Sequence, residues 1–358
     1  MEEQIAAPTR ELPLQFHATG AEYFRIWIVN LLLTIITLGI YSAWAKVRRL
    51  RYFYGSTSLD GTSFEYHGKP IPILKGRLIA VAAYAVLALG GRLSPYVAFL
   101  MLPLIFFGVP WIIVKARLFQ MRMSSWRGLR FNFHGNYTGA LGAYVGWMLL
   151  AMVTLMILWP WALWKQNRYL LGNGAYGTER FEFHATKGQF YKFCLIGLAL
   201  LLAALCMAVL PIRMLYTAHP ELLRPNPNAL PVEAAMVSLK LAGAIYLFAG
   251  PLILLAVAWF HARLLDVSIG GLTLGPHRVF ARLRTWPLFW IYLTNLLAMI
   301  CTLGLFYPWA KVRMLRYQTA NIGLIAHGSL DQFVADTQTQ ASAVGEGMHD
   351  VFDIDFGF

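Results

Sequence analysis

Trp44, Arg48, Arg51 and Tyr52 stand at i, i+4, i+7 and i+8, so a helix would carry all four on one face. The same face recurs twice. Trp161, Lys165, Arg168 and Tyr169 form the second copy, and Trp309, Arg313, Arg316 and Tyr317 the third. Lys46 lies off this face and its counterpart in the middle copy is Leu163, so repetition singles out the face over the bulk charge. Two chemistries suit it. The face either lines a site for an anionic ligand or lipid headgroup, or lies in the membrane interface with Trp and Tyr at headgroup level and Arg on lipid phosphate.

Other reactive side chains form weaker patterns. Six of the nine histidines, His17, His67, His134, His184, His277 and His327, occupy corresponding repeat positions. They are read as strand-end hydrogen-bonding residues rather than metal ligands, because no close H-x-x-H or Cys partner accompanies them. Glu65 and Glu182 share the His face, as on a solvated strand. His261 and Asp266 have an H-x-x-x-x-D spacing with no partner motif. Cys194, Cys206 and Cys301 all lie in apolar segments, which indicates neither a disulfide framework nor a Cys metal site. No phosphate-cradling glycine loop, nucleophile elbow or paired carboxylates stand out, so no catalytic residue, cofactor or metal is assigned and an enzyme is not expected.

The elements that must position these faces are apolar. The chain of 358 residues is 58% hydrophobic and only 13% charged, whereas soluble proteins carry roughly a quarter charged residues. Apolar stretches fall near 24–41, 78–90, 96–114, 138–163, 190–212, 235–260 and 287–308, several of them near the roughly 20 residues needed to cross a bilayer. This predicts an integral membrane protein. The acidic, polar start MEEQIAAPTRELPLQ has no basic region leading into a short apolar core, so a cleaved signal peptide is not expected. The net charge of +13 fits Lys and Arg collected in cytoplasmic loops beside anionic lipid. It does not point to nucleic acid, since no nucleic-acid-binding module is present.

Internal repetition organises the chain. TLGIYSAWAKVRRLRY (Thr37–Tyr52), TLMILWPWALWKQNRY (Thr154–Tyr169) and TLGLFYPWAKVRMLRY (Thr302–Tyr317) align without a gap. Around them FHATG, FEYHG, FNFHG and FEFHA recur; in FEYH and FEFH aromatics alternate with Glu and His, the period of a short strand. Pro160 and Pro308 precede Trp161 and Trp309, and Ser42 is a candidate N-cap, so each basic helix starts afresh after a break. The predicted fold is a polytopic α-helical membrane protein with short β-strands. It has about 2.5 tandem repeats of strand, transmembrane helix, basic amphipathic helix, strand and two transmembrane helices. Units are expected at 14–128 and 129–272, with a half unit at 273–330, between a disordered N-terminal tail (1–13) and an acidic C-terminal tail (331–358).

TLGIYSAWAKVR with FEYHG downstream, TLGLFYPWAKVRMLRY and the acidic ending DVFDIDFGF together resemble the YjgN-like family of bacterial inner-membrane proteins, whose function is unassigned. The likeness spans nearly the whole chain and implies an inner-membrane location and an architecture, with no activity.

Sidedness follows from the 30 Lys and Arg residues. If every apolar stretch crosses once, they divide 17 to 12, with Lys240 inside a segment. If the first, fourth and seventh stretches fold back as hairpins with the basic helices, the division is 26 to 3. The positive-inside rule prefers the second, with strands and basic segments cytoplasmic. No apolar stretch contains Asp or Glu, which disfavours a proton-driven pump. Asn30 and Asn295 suit packing between helices, and Lys240 suits snorkelling. Transport of, or binding to, an anionic solute or lipid headgroup is the leading functional reading. A structural scaffold that holds a protein partner through its strands and acidic tail is the alternative.

Overall fold

The computed structural model describes residues 9–93, 95–218 and 231–348. Strands β1 (Thr9–Pro13) and β2 (Gln15–Phe16) lead into helices α1 (Gly20–Ile36) and α2 (Ser42–Gly55). Strands β3 (Thr57–Leu59) and β4 (Thr62–Tyr66) are followed by α3 (Pro70–Leu93) and α4 (Pro95–Arg122). Next come β5 (Ser124–Trp126), β6 (Leu129–Phe133), α5 (Tyr137–Ala140), a π-helical stretch Leu141–Gly146, α6 (Trp147–Val153) and α7 (Trp159–Gly172). After β7 (Gly174–Tyr176) and β8 (Glu179–Phe183) stand α8 (Lys187–Ala218) and α9 (Pro231–Ile269). The chain continues through β9 (Leu272–Leu274), β10 (His277–Ala281), α10 (Thr285–Cys301), α11 (Tyr307–Ala320), β11 (Ile322–His327) and α12 (Leu330–Met348). Two compact units result. Gly188–Val267 with Leu283–Tyr307 form the smaller, helical one, and the larger contains every strand.

All eleven strands pair antiparallel in one sheet of order β1-β11-β10-β9-β8-β7-β6-β5-β4-β3-β2. Its two ends are one stretch of chain. β1 pairs with β11 (Thr9 opposite His327), the Leu14 amide donates to Ile322 O at 2.9 Å, and β2 then pairs with β3 (Gln15 opposite Ser58). The sheet therefore closes on itself as a barrel. Closure needs Gly323: a Cβ there would lie 2.3 Å from the Leu12 carbonyl oxygen across the seam. The strands inside the barrel come as hairpins with two-residue turns. In Asp60-Gly61 and Arg127-Gly128 both residues have positive φ (48° and 72°; 47° and 78°), the type I′ geometry that matches strand twist.

Alternation decides which face is wet. Phe64, Leu129, Phe131, Tyr176 and Phe181 point inward with Leu59, Trp126, Leu274 and Leu324, and they fill the interior. Ser63, Glu65, Arg130, Arg180, Glu182 and Arg278 are exposed on the outside. A lipid-facing barrel has the opposite arrangement, so this one belongs in water. The polar ends of the interior aromatics are paired, Trp126 Nε1 donating to Thr62 O at 3.1 Å and the Tyr176 hydroxyl to Trp126 O at 2.9 Å. Helix α12 packs against the core through Leu330, Phe333 and Val334. Arg127 joins it to the turns by pairing with both Asp60 and Asp331.

His277 sits under this helix, 1% exposed, edge-on to Phe333 with ring centroids 4.6 Å apart. Its Nδ1 accepts from the His327 amide at 3.2 Å. Burial and the neighbouring His327 hold its pKa below the ordinary 6.5. Protonation would need Nδ1 and break that bond, whereas the unfolded chain protonates freely. Stability from this site is thus present above pH 6.5 and is lost as pH falls through and below that value. Thermal melts from pH 8 to pH 5 should show a falling midpoint that flattens in His277→Phe; equal slopes in both proteins would contradict it.

Each hairpin repeat is followed by a helical excursion, and one hydrogen bond marks all five junctions. The amide after each outgoing strand donates to the residue before the next: His17 to Ser56 O, His67 to Met123 O, His134 to Asn173 O, His184 to Gly271 O and Arg282 to Asn321 O, at 2.7–2.9 Å. One helical excursion between two strands thus occurs five times, two in each of the expected units 14–128 and 129–272 and one in the half unit 273–330. The equivalent of the four histidines in the fifth copy is Arg282, while His277 opens β10.

The polytopic α-helical membrane fold expected from the sequence is overturned. The eleven strands form an antiparallel barrel. Among the described residues two helical segments are long and apolar enough to cross a membrane, Lys187–Pro211 and Leu247–Ile269. Two of the remaining apolar helices, α1 and α10, have 17 residues each. Three of the expected apolar stretches, 24–41, 138–163 and 287–308, run through helix–turn–helix tips, as at Thr37–Tyr41, where Leu38 and Gly39 have positive φ. The barrel was missed because its strands are mostly three to five residues and pair across long sequence separations. Of the expected tails, Thr9–Pro13 is β1 and residues 330–348 are α12, while 1–8 and the DVFDIDFGF ending lie outside the described residues.

Candidate functional site

The three copies of the Trp–cation–Arg–Tyr face share a fold and differ in use. In each, a 14-residue helix (α2, α7 or α11) returns from an apolar partner toward the next strand. In the first copy the Tyr52 hydroxyl bonds Thr19, the N-cap of α1, and Glu22 at 2.9 Å, with its ring stacked on Tyr23. In the second, the Tyr169 hydroxyl donates to the carbonyl of Asn136, the N-cap of α5, at 2.7 Å, and burial pushes its pKa up. These tyrosines fasten each basic helix to the start of its partner.

The arginines divide. Arg51 donates to the carbonyl of Gly68 at 3.3 Å, and Arg316 to that of Ala18 at 2.9 Å, both just past an outgoing strand. The corresponding carbonyl for the middle copy belongs to Ala185, and there the Trp164 indole takes it at 2.7 Å. Val47 and Val312 stand at that helix position in the other copies. Trp164 therefore releases Arg168, which lies over the Trp164 ring at 5.3 Å and faces a cavity.

That cavity holds about 740 Å³. Its cations are Lys165 and Arg168 from α7 and Arg180 from β8, against the single carboxylate of Glu182. None of the three makes an ion pair with a carboxylate among the described residues. Lys165 sits over Trp147 and Trp164 at 5.3 and 5.4 Å, and Trp147 stacks on Trp161 at 4.7 Å. Lys187 lies over the other ring of this stack, 4.7 Å from Trp161. Close by, burial together with Arg180 and Arg122 holds the His134 pKa below its usual value, as a positive surrounding requires. One wall, with Gly139, Gly142, Ala143 and Trp147, follows the π-helical stretch, a geometry found in neither α1 nor α10 and often associated with functional sites. Three cations around a half-open cavity with aromatic walls offer charge-assisted hydrogen bonds of the kind that phosphate or carboxylate oxygens accept.

The remaining residues of the predicted face are placed as follows. Arg48 is exposed on α2, and Trp44 is 36% exposed and stacked on Tyr41. Trp309 packs on Phe24 at 5.0 Å and over Gly20. Arg313 is exposed, and Tyr317 half-buried. His17, His67 and His184 each put Nε2 within 3.2 Å of a hydroxyl on the neighbouring strand, Ser58, Ser125 and Thr273. Sequence reasoning did not bring Arg180, Trp147 or Trp164 to the site. The one signal was the Leu163-Trp164 departure from Lys46-Val47, which marks the copy whose arginine is released.

A family model described as "Bacterial protein of unknown function (DUF898)" matches residues 11–351. The chain belongs to the DUF898 family. Among similar relatives are the proteins named inner membrane protein YjgN of Salmonella typhimurium, 24% identical, and of Escherichia coli, 25% identical. The alignments cover 89% and 88% of this chain and the same shares of the relatives. No solved structure matches. This DUF898 chain is accordingly an inner-membrane protein of a family with unassigned function.

Proposed function

We propose that this DUF898 protein binds an anionic, phosphate-bearing molecule, a lipid headgroup or a soluble solute, in the cavity of its middle repeat. The observation that carries the reading is the group Lys165, Arg168 and Arg180 facing one cavity with Glu182 as its only carboxylate. The repeat that departs from its two siblings is the one that opens this cavity. Binding is favoured over passage through the barrel, whose interior is filled by side chains. The reading includes an orientation: the barrel stands on the cytoplasmic side, and the Lys187–Pro211 and Leu247–Ile269 segments, long and apolar enough to cross a membrane, are its candidate spans. Support for that side is the Lys and Arg distribution and the anionic lipid of that leaflet.

Trp147, Trp161 and Trp164 provide a built-in signal. Titrating the detergent-solubilised protein with inorganic phosphate and with glycerophosphate should change tryptophan emission saturably. Lys165→Ala with Arg168→Ala should weaken either response at least tenfold, while Arg48→Ala leaves it unchanged. Equal affinity in the double variant would remove the proposal. A response to glycerophosphate alone would favour a lipid headgroup over free phosphate.

A further inference from the structure

Three hairpin tips share an unusual construction. Leu38, Leu155 and Leu303 have φ of 48°, 50° and 49°, a left-handed conformation that side-chain-bearing residues rarely adopt. They are also 94%, 87% and 94% exposed. Their neighbours Ile36, Ile40, Val153, Ile157, Ile300 and Leu305 are exposed as well. A strained, bare leucine at a water-facing turn is costly, and Gly or Asn would relieve both faults.

The backbone explains the choice. From Thr37 to Ser42 every amide is taken within the tip: Thr37 by Leu33 O, Leu38 by Ile35 O, Gly39 by Thr34 O, Ile40 by Thr37 O, Tyr41 by Thr37 Oγ1 and Ser42 by Gly39 O. The Thr37 hydroxyl itself donates to Leu33 O at 2.7 Å, so one side chain ties the end of α1 to the start of α2. The identical network runs from Thr154 to Trp159 and from Thr302 to Tyr307, with Thr154 and Thr302 as the ties. A turn in water has no need of such complete satisfaction. A turn in hydrocarbon cannot exist without it.

The lengths set the depth. At 1.5 Å per residue α1 is about 26 Å long and α2 about 21 Å, short of a hydrocarbon core of about 30 Å. On α2 the cations Lys46, Arg48 and Arg49 begin four residues after Ser42, about 6 Å from the tip end. Arg77 of α3 reaches Ser42. A tip carried through to the far side would bury these charges mid-bilayer and return bare leucines to water. A tip halfway down one leaflet leaves the charges within snorkelling reach of lipid phosphate, with Trp44 beside the interface.

We infer that each of these three hairpins is a re-entrant wedge, entering the acyl chains of one leaflet with Leu38, Leu155 or Leu303 at its deepest point and returning without crossing. The occupant of the bare apolar tips is lipid hydrocarbon. The test uses Leu38→Cys, Leu155→Cys and Leu303→Cys, singly, in full-length protein with Cys194, Cys206 and Cys301 replaced by Ala. Each is reconstituted in phosphatidylethanolamine–phosphatidylglycerol vesicles, with Ile40→Cys and Ile157→Cys as substitutes where a tip variant does not fold. A fluorophore on the introduced thiol should be quenched by nitroxides on the lipid chains. The unlabelled thiol should resist a membrane-impermeant maleimide added outside or trapped inside. Modification from the far side would mean a crossing, and modification from the barrel side a tip in water. Either result, or the absence of chain quenching, would overturn the inference whatever the phosphate titrations show.

Discussion

Ending the chain at Gly328 lowers the stability of the barrel by on the order of 5 kcal/mol, because three apolar side chains of α12 leave the core at about 1.5–3 kcal/mol each before allowance for residual burial in the unfolded chain. Leu330 and Val334 are 7% and 6% exposed, and Phe333 packs beside them against the same cluster. The truncation also leaves Arg127 with Asp60 as its one carboxylate partner among the described residues. Against a typical total of roughly 5–15 kcal/mol, the shortened barrel is close to unfolding. A thermal melt in detergent should show a much lower midpoint, with increased binding of a hydrophobic dye. Val334→Asp tests the same contact in the full-length chain should the truncation fail to accumulate. Melts that superimpose on the parent would mean that α12 merely rests on the surface.

Trp126→Ala is the second large effect, at about 3–5 kcal/mol for a buried aromatic truncated in a packed core. Trp126 is 5% exposed; its ring lies 6.2 Å from that of Phe64 and 5.9 Å from that of Tyr176. Arg127 covers its other side at 4.7 Å. The loss includes the bond from Nε1 to Thr62 O, which leaves that carbonyl without its indole partner. Trp126→Phe keeps most of the volume and forfeits the bond, so its cost should be a fraction of the alanine value. Denaturant titrations of the three proteins decide it. An unfolding free energy for Trp126→Ala within about 0.5 kcal/mol of the parent would show that the interior repacks and that the barrel core is looser than its contacts indicate.

The two effects bear on the site through β8. Arg180 projects from the outer face of this strand while Phe181 faces the interior core, so whatever loosens the core displaces one of the three cavity cations. The phosphate response should therefore weaken in Trp126→Ala in parallel with stability, whereas Lys165→Ala and Arg168→Ala should weaken it with little change in the melt. That contrast separates cations that touch the ligand from residues that hold the wall.

Repetition and face were legible in the residues because both are local. The Thr-Leu tips, the Trp, cation, Arg and Tyr at helical spacing and the aromatic alternation of FEYH and FEFH each fit within one short stretch of chain. The membrane location was legible for the same reason, since apolar content is additive along the sequence. The barrel was not. Its seam joins Thr9 to His327, and three-residue strands such as Gly174–Tyr176 are too short to declare a period. Nor was the choice among the three faces. Their residue types are nearly equivalent, and what distinguishes them is whether a carbonyl past the next strand is met by arginine, as at Gly68 and Ala18, or by an indole, as at Ala185. A cation is available to a ligand only when nothing nearer satisfies it. That depends on which strand ends the barrel brings beside each helix, so the sequence by itself determined a repeated basic face, and tertiary structure decided which copy turns its arginine to a cavity.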